Sequence, residues 1–407
     1  MKLLVLSWWF PYPPDNGSRL RVYNLLKQLS SKHSIHLLTF YQSKEQLMHI
    51  SDLRGICEHI ITVPTREFKP NGMRALMGLF SSRPRSLVDL WSPAMLQAVK
   101  QELTDNRPDA ILALTMRCAE YVSNVADIPK ILDLENADSI YVRRLAEAQD
   151  GWLQKFRLNA TWVKSMRHER KVTAEFDAIL TVSEEDRTEL IRTAPKLATR
   201  NNVHLVPNGV DLSYLDFVGP PREPYRIIST GALTYNANYD ATLLFCREIM
   251  PGISERIPQA EFIITGSYDG VDISPFIEAG AKLTGLVPDI RYEVARSAVL
   301  VVPLKFGGGT RLKILEAMAL GTPIVSTKIG AMGVGAVSGE HLMMADDPED
   351  FAEAVCAVFS DSALAARLSQ NGRELVAKQF GWNSIGKKLE DILENERQKC
   401  MMSVEGC

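Results

Sequence analysis

The chain has 407 residues, of which 46% are hydrophobic, and this length predicts two domains of about 200 residues each rather than one core. Its net charge of −3 argues against a general nucleic-acid-binding protein, which would be strongly basic. The six cysteines show neither paired metal-ligand spacing nor a dense disulfide framework, and no window approaches the roughly 20 apolar residues of a membrane-spanning helix. These features predict a cytoplasmic protein with reduced thiols.

The first half of the chain alternates short apolar strands with helices, which is typical of a doubly wound α/β domain. The strand Leu3–Ser7 is followed by the proline-rich loop Trp8–Ser18 and then by a helix over Arg19–Leu29. Arg19 and Arg21 would lie in the first turn of that helix, where the helix dipole disfavours positive charge. Either these arginines reach an anionic ligand, or they pair with acidic side chains. Further strands are predicted at Ser34–Phe40, His59–Val63, Pro108–Leu114, Lys130–Leu134, Ala178–Ser183 and Val203–Pro207.

Two segments of the first half mix apolar and basic side chains. Asn71–Trp91 has methionines, leucines and a phenylalanine among arginines, and a long helix predicted over Ser139–Glu175 has Trp152, Phe156 and Trp162 among lysines and arginines. Such patterns are typical of helices that lie on an anionic membrane surface. Core packing explains the first segment equally well, and an ordinary solvated helix face explains the second.

The second half repeats the alternation after a turn and a linker. The turn is Asn208-Gly209-Val210-Asp211, and the linker Ser213–Tyr225 contains three prolines. Strands are predicted at Arg226–Thr230, Ala260–Gly266, Ala281–Thr284, Ala298–Val302 and Thr322–Thr327, and helices at Tyr239–Met250, Asp289–Ser297, Pro348–Ser360, Ser362–Phe380 and Trp382–Lys399.

The stretch from Ala298 to Ser326 combines a strand, a glycine loop, a short helix and a strand. Gly307, Gly308 and Gly309 precede Thr310, which can cap a helix that starts near Arg311. A glycine turn that leads into a helix N-terminus binds anions readily, although it is also an ordinary βαβ connection. Lys313 and Glu316 favour a ligand site because they are three residues apart and share one face of the helix.

The run GGGTRLKILEAMALGTPIVS resembles the donor-binding segment of the retaining group 1 (family 4) glycosyltransferases of GT-B fold. The PNGVD turn and the Val-Ser-Glu that ends the strand at Ala178–Ser183 are also similar to that family. The resemblance implies an α/β fold with two doubly wound, Rossmann-like domains facing across a cleft. Residues 1–207 would form an acceptor-binding domain, onto which helix 383–399 packs back, and residues 208–382 would bind a nucleotide-sugar.

The resemblance also implies roles for individual residues. Glu316 would hold the ribose, the loop at Gly17 would approach the phosphates, and the turn Gly285–Val287 would contact the base. Electrostatic stabilisation of the leaving diphosphate would come from Arg311, from Lys305 and from backbone groups at Gly309–Leu312. The predicted donor-binding residues are Gly17, Gly231, Val287, Lys305, Gly308, Gly309, Thr310, Arg311, Leu312, Lys313 and Glu316.

The chain departs from the family pattern at three places. Gly308 stands where the family has a second glutamate, and the loop Gly231–Asn238 lacks the arginine and lysine that grip the diphosphate in relatives. Near the strand Lys130–Leu134, acidic residues replace a catalytic histidine. Asp133 or Glu135 would therefore orient the acceptor hydroxyl, or the acidic cluster caps the following helix. The predicted catalytic residues are Arg311, Asp133 and Glu135.

The expected reaction, implied by the resemblance, is transfer of a sugar from a nucleoside diphosphate sugar to a hydroxyl of a saccharide or lipid-linked acceptor, with retention. No metal or cofactor is expected, because the sequence has no aspartate pair placed to clamp a metal at the diphosphate. Peripheral contact with the inner face of a membrane is left open. Two alternatives remain: a nucleotide-sugar-binding protein without transfer activity, and a nucleotide-sugar epimerase on the same fold.

Overall fold

A computed structural model describes residues 1–135, 138–147, 151–306 and 310–405 of the chain. The chain divides into two compact units. The first consists of Met1–Pro207 together with the chain from Trp382 onward, and the second is Asn208–Gly381. Among the described residues, no helix is both long enough and apolar enough to cross a membrane.

The first unit is built on a parallel sheet of seven strands in the order β3-β2-β1-β4-β5-β6-β7. The strands are β1 Lys2–Ser7, β2 Ser34–Tyr41, β3 His59–Pro64, β4 Ala110–Leu114, β5 Lys130–Leu134, β6 Ala178–Thr181 and β7 Val203–Leu205. The helices are α1 Gly17–Leu29, α2 Ile50–Leu53, α3 Met73–Met77, α4 Arg85–Leu90, α5 Pro93–Asn106, α6 Met116–Ala119, α7 Asp138–Glu147, α8 Trp152–Thr173, α9 Glu184–Thr193 and α10 Pro195–Arg200, with a 3₁₀ turn at Lys44–His49.

Both faces of this sheet are apolar because its central strands are buried on both sides. Alternate residues of β1 contribute to two different clusters: Leu4 and Leu6 to one, Leu3 and Val5 to the other. The second cluster is completed by a final helix, α18 Trp382–Glu405, through its buried apolar side chains Trp382, Ile385, Leu389 and Leu393.

The two segments of the first unit that mix apolar and basic side chains each form two helices. The segment Asn71–Trp91 forms the short helices α3 and α4, and Pro84 is the N-cap residue of α4, where proline is tolerated because the first N–H groups of a helix have no intrahelical partner. The helix predicted over Ser139–Glu175 is instead α7 and α8, and Gly151 caps the start of α8.

The second unit contains a parallel six-stranded sheet in the order β10-β9-β8-β11-β12-β13. Its strands are β8 Glu223–Thr230, β9 Glu261–Thr265, β10 Lys282–Gly285, β11 Ser297–Val302, β12 Ile324–Ser326 and β13 Met343–Met344. Its helices are α11 Asn236–Leu244, α12 Met250–Arg256, α13 Ser274–Glu278, α14 Ile290–Ala295, α15 Leu312–Ala319, α16 Pro348–Ser360 and α17 Ser362–Gln379, with a 3₁₀ turn at Leu212–Asp216 and a π-helical turn at Phe245–Ile249.

Candidate functional site

The order of strands in the second unit places a crevice at the carboxyl ends of β8 and β11. These two strands are neighbours, while the chain continues from β8 to β9 on one side and from β11 to β12 on the other. Open α/β sheets bind ligands where the strand order reverses in this way. The predicted residues Gly231, Lys305 and Thr310 follow these two strands, and α15 begins two residues after Thr310. Gly308 and Gly309 lie outside the described residues.

Lys313, in the first turn of α15, reaches across to the end of β8. Its ammonium group donates hydrogen bonds to the carbonyl oxygen of Thr230 and, at 3.2 Å, to Oδ1 of Asn238. The amide of Asn238 is itself oriented, because its Nδ2 donates to the carbonyl of Ala232 at 3.0 Å. Lys313 therefore places a positive charge in the very loop where the sequence lacks basic residues.

A second cation lies beside this ammonium group. Burial, followed by repulsion from the guanidinium of Arg311, lowers the pKa of Lys313 to about 8. Arg311 is the N-cap residue of α15, and the first N–H groups of any helix have no intrahelical partner. Two like charges at the positive end of a helix dipole repel each other and the dipole. An anion bound there would relieve both repulsions.

Glu316 is one turn further along α15, on the side of Lys313. Burial raises the pKa of Glu316, and the nearby Lys313 opposes this shift. The phenol of Tyr214, from the 3₁₀ turn Leu212–Asp216, is also close: its pKa is raised to about 12 by burial and then by the charge of Glu316. The site thus combines a positively charged helix end with a carboxyl group that can accept hydrogen bonds.

Gly231 allows the loop after β8 to pass close to Lys313. Its φ is +120°, a conformation that side-chain-bearing residues rarely adopt. A Cβ at this position would lie 2.8 Å from Nδ2 of Asn238 and 3.1 Å from Nζ of Lys313. The position therefore requires glycine for both backbone conformation and space.

The remaining predicted residues of the second unit have varied surroundings. Lys305 is exposed, Leu312 is the first residue of α15, and Val287 follows β10 with a partly exposed side chain. Thr310 was expected to cap α15, but Arg311 is the N-cap residue, and the hydroxyl of Thr310 instead accepts a hydrogen bond from the backbone N–H of Asn208 at 3.5 Å.

In the first unit, Asp133 does not have the surroundings expected of an acceptor-orienting group. It is buried, and both carboxylate oxygens accept hydrogen bonds from Arg21, at 2.7 and 3.0 Å. Arg21 also donates to the carbonyls of Val206 and Pro207, at 2.9 and 3.0 Å. Asp133 is therefore part of a buried ion pair that connects β5 to α1 and to the chain after β7, while its predicted catalytic role stays a prediction.

The two arginines at the start of α1 are accounted for by protein carboxylates. Arg19 forms an ion pair with Asp15 at 2.8 Å, so the alternative of acidic partners holds for both Arg19 and Arg21. Gly17 is the exposed first residue of α1 and follows the cap residue Asn16. Glu135 lies just after β5 with a partly exposed side chain and keeps its predicted role as a hypothesis.

A group of side chains with metal-ligand chemistry also lies in the first unit. Glu102 of α5 is hydrogen-bonded to His36 of β2, and its other oxygen is 3.4 Å from Nδ1 of His59 in β3. A buried carboxylate shared by two imidazoles is satisfied without an ion. The described residues therefore give no reason to link this group to the crevice of the second unit.

Sequence reasoning missed Asn238 and Tyr214. Asn238 was noted only as part of a loop without basic residues, and nothing in its sequence environment predicts that it binds a lysine 75 residues away. Tyr214 lies in a segment interpreted as linker. The three prolines of that segment are typical of a linker.

Each half of the chain matches a known protein-family model. Residues 16–214 match the model of Glycosyltransferase Family 4, and residues 224–361 match that of Glycosyl transferases group 1. A protein described as an uncharacterised 44.6 kDa protein in the cps region of Klebsiella pneumoniae is 22% identical, over 86% of this chain and 89% of its own length. The phosphatidyl-myo-inositol mannosyltransferase of Mycobacterium leprae is 26% identical, over 46% of this chain and 52% of its own.

Solved structures with the same architecture cover nearly the whole chain. Anabaena HepE, in complex with UDP and glucose, superposes with a TM-score of 0.68 over 97% of this chain and 100% of its own, at 15% identity. Sucrose-phosphate synthase from Thermosynechococcus elongatus gives a TM-score of 0.71 over 97% of this chain and 99% of its own, also at 15% identity. Together with the two family models and the two parallel-sheet units, these similarities establish that the chain belongs to the group 1, family 4 glycosyltransferases of GT-B fold.

Proposed function

We propose that this glycosyltransferase transfers a hexosyl unit from a nucleoside diphosphate sugar to an acceptor hydroxyl, with retention at the anomeric carbon, in polysaccharide or glycolipid assembly. The observation that carries the proposal is the cluster of Lys313, Arg311 and Glu316 at the carboxyl ends of β8 and β11. HepE binds UDP and glucose, and M. leprae has a relative named as a mannosyltransferase, which supports a nucleotide-sugar donor for this chain.

Different residues of the cluster bind different parts of the donor. Glu316 accepts hydrogen bonds from the ribose hydroxyls, while Lys313, Arg311 and the N-terminal N–H groups of α15 face the diphosphate. Negative charge grows on the diphosphate as the glycosidic bond breaks, so cations held in place beforehand lower the barrier. The helix end supplies about half a positive charge, and the two side chains supply the rest. The proposal therefore includes no metal ion and no cofactor.

The acceptor in this proposal is a saccharide or a lipid-linked molecule bound by the first unit, and the reaction takes place in the cytoplasm. Gly17, the first residue of α1, and Glu135 after β5 are the proposed contacts of the first unit. Asp133 is omitted because Arg21 occupies its carboxylate.

A panel of nucleotide-sugars tests the proposal. The purified chain is incubated with UDP-, GDP- and ADP-sugars, and the released nucleoside diphosphate is measured. We expect slow hydrolysis of one class of donor, and Glu316→Ala to weaken donor binding by roughly 2–4 kcal/mol, because two hydrogen bonds to a charged group are lost. Glu278→Ala, at the exposed end of α13, is the matched control.

Two results would contradict the proposal. Tight binding of a nucleotide-sugar without any release of nucleoside diphosphate would support a binding protein without transfer activity. Unchanged donor affinity in folded Glu316→Ala would remove this carboxylate from the donor site.

A further inference from the structure

Two segments of the first unit expose an unusual concentration of large apolar side chains. One is α3 with the three residues that follow it, and the other is the beginning of α8. Phe80 is 95% exposed and Trp152 is 80% exposed. We call the set the apolar surface; its members are Met73, Leu76, Met77, Leu79, Phe80, Trp152, Leu153 and Phe156.

The segment around α3 exposes most of its large apolar side chains, while arginine side chains are bonded to backbone carbonyls. Arg74 donates to the carbonyl of Trp91 at 3.0 Å, and Arg85 donates to the carbonyl of Ala75, also at 3.0 Å. Ala75 is fully buried, whereas the methionines and leucines beside it face solvent. A surface helix in water normally turns its apolar side inward and its charges outward. Here arginine hydrogen bonds hold the backbone in place, so the outward apolar side chains belong to a fixed structure.

A lysine joins the two segments. Nζ of Lys164, in the middle of α8, donates to the carbonyl of Gly78 at 2.6 Å. From this contact the helix continues back to Trp152, and most of its first eleven residues are exposed. Phe156 and Trp152 are four residues apart, so they lie on one face of α8. Lys164 therefore connects α8, which exposes Trp152 and Phe156, to the segment around α3.

The charges around these side chains favour an anionic partner. Helix α8 contains six basic residues, Lys155, Arg157, Lys164, Arg167, Arg170 and Lys171. Its single acidic residue, Glu169, is buried and accepts a hydrogen bond from Ser139. The complete chain, by contrast, has a net charge of −3. Positive charge is thus concentrated on the helix that exposes Trp152 and Phe156, and Lys155 and Arg157 lie next to these aromatic residues.

A bilayer surface matches this combination better than a protein does. The centre of a protein interface is depleted in lysine, whereas aromatic residues among lysines and arginines suit the boundary between acyl chains and anionic headgroups. We propose that the apolar surface docks the first unit on a bilayer that contains anionic lipids. The aromatic side chains enter the headgroup region, and the exposed Lys155 and Arg157 of α8 contact lipid phosphates. This docking does not depend on the proposed sugar transfer.

Vesicle co-sedimentation without any nucleotide tests the docking. The full chain is mixed with vesicles of phosphatidylcholine alone, and with vesicles that also contain phosphatidylglycerol. We expect binding to the mixed vesicles that weakens as salt is raised. The double variant Phe80→Ser/Trp152→Ser should bind at least tenfold more weakly, since burial of one large apolar side chain is worth about a tenfold change or more. Both side chains are exposed, so the melting temperature should be unchanged.

Matched control variants distinguish docking through the apolar surface from nonspecific adsorption of the protein to vesicles. Val218 is 91% exposed and Ile277 is 57% exposed, both in the second unit, so Val218→Ser/Ile277→Ser should bind vesicles like the wild type. Lys155→Gln/Arg157→Gln should bind more weakly and with a smaller salt dependence. Equal binding to both kinds of vesicle, or full binding by Phe80→Ser/Trp152→Ser, would overturn the proposal. So would light scattering that shows a dimer dissociated by that double variant, because the surface would then hold a second copy of the chain.

Discussion

Replacing Lys313 by methionine tests the chemistry of the candidate site most directly. An ammonium group has three N–H donors, and among the described residues two acceptors, the carbonyl of Thr230 and the amide oxygen of Asn238, are bonded to it. The third donor can bind a phosphate oxygen while the loop stays in place. Methionine has a similar length but neither charge nor donor.

The size of the effect follows from that one bond. A hydrogen bond to a charged group contributes about 1.5–3 kcal/mol, which corresponds to roughly a 10- to 150-fold loss of affinity for a nucleoside diphosphate. Affinity for the nucleoside without phosphate should hardly change, since the ribose partner Glu316 is retained. The free energy of unfolding should change little, because the loss of two hydrogen bonds is offset by removal of a charge that burial disfavours.

Isothermal titration calorimetry at pH 7 with uridine and UDP measures both affinities, with guanosine nucleotides as the second pair. Lys282→Met is the matched control because it also removes a lysine of the second unit. Lys282, the first residue of β10, forms an ion pair with Glu261, the first residue of β9. Equal losses for uridine and UDP would show that the substitution distorts the site as a whole. Unchanged UDP affinity in a folded variant would show that the anion is bound elsewhere.

Four further results are expected. Affinity for a nucleoside diphosphate should fall as pH rises above about 8, because the free protein then loses the Lys313 proton that the anion requires; calorimetry across that range should find proton uptake on binding, and Lys313→Met should abolish it. Gly231→Ala should weaken donor binding and cost about 1 kcal/mol of stability in chemical denaturation, since its φ of +120° strains any side-chain-bearing residue; an equally stable, fully active variant would contradict this. Arg21→Met should lower the free energy of unfolding by about 3–5 kcal/mol by leaving Asp133 buried and uncompensated, and adding Asp133→Leu should recover part of the loss; a variant as stable as wild type would refute the structural role of the pair. Chelators should leave turnover intact, whereas loss of activity that magnesium or manganese restores would show that a metal is needed.

The sequence predicted the alternation of strands and helices well, because buried parallel strands are short apolar runs bounded by turn residues. Helix interruptions were harder to predict. The apolar and basic pattern continues across Gly151 and Pro84, and only the structure shows that α8 and α4 begin there. Local sequence patterns predict which residues are helical more reliably than they predict where a helix ends.

Contacts between distant residues were the main limit for the site. The missing basic residues of the loop after β8 were visible in the sequence, but their replacement by Lys313 depends on packing between segments 75 residues apart. Asp133 lies at the predicted strand end, but its ion pair with Arg21, which is 112 residues away, could not be predicted from local sequence. Residue type and strand position predicted where polar side chains lie. The hydrogen-bond or ion-pair partner of each side chain, which determines its role, could not be predicted from local sequence.

The position of α18 has a consequence for synthesis of the chain. Trp382, Ile385 and Leu389 complete the apolar cluster that contains Leu3 and Val5, so the first unit is joined from both ends of the sequence. The second unit is one continuous segment and can fold as soon as it leaves the ribosome. Helix α1 covers part of that face of the first sheet, but the part that contacts α18 stays uncovered until α18 has been made. The first unit therefore completes its core only after the second unit has been made, and a chain stopped before Trp382 leaves part of that apolar face open to aggregation.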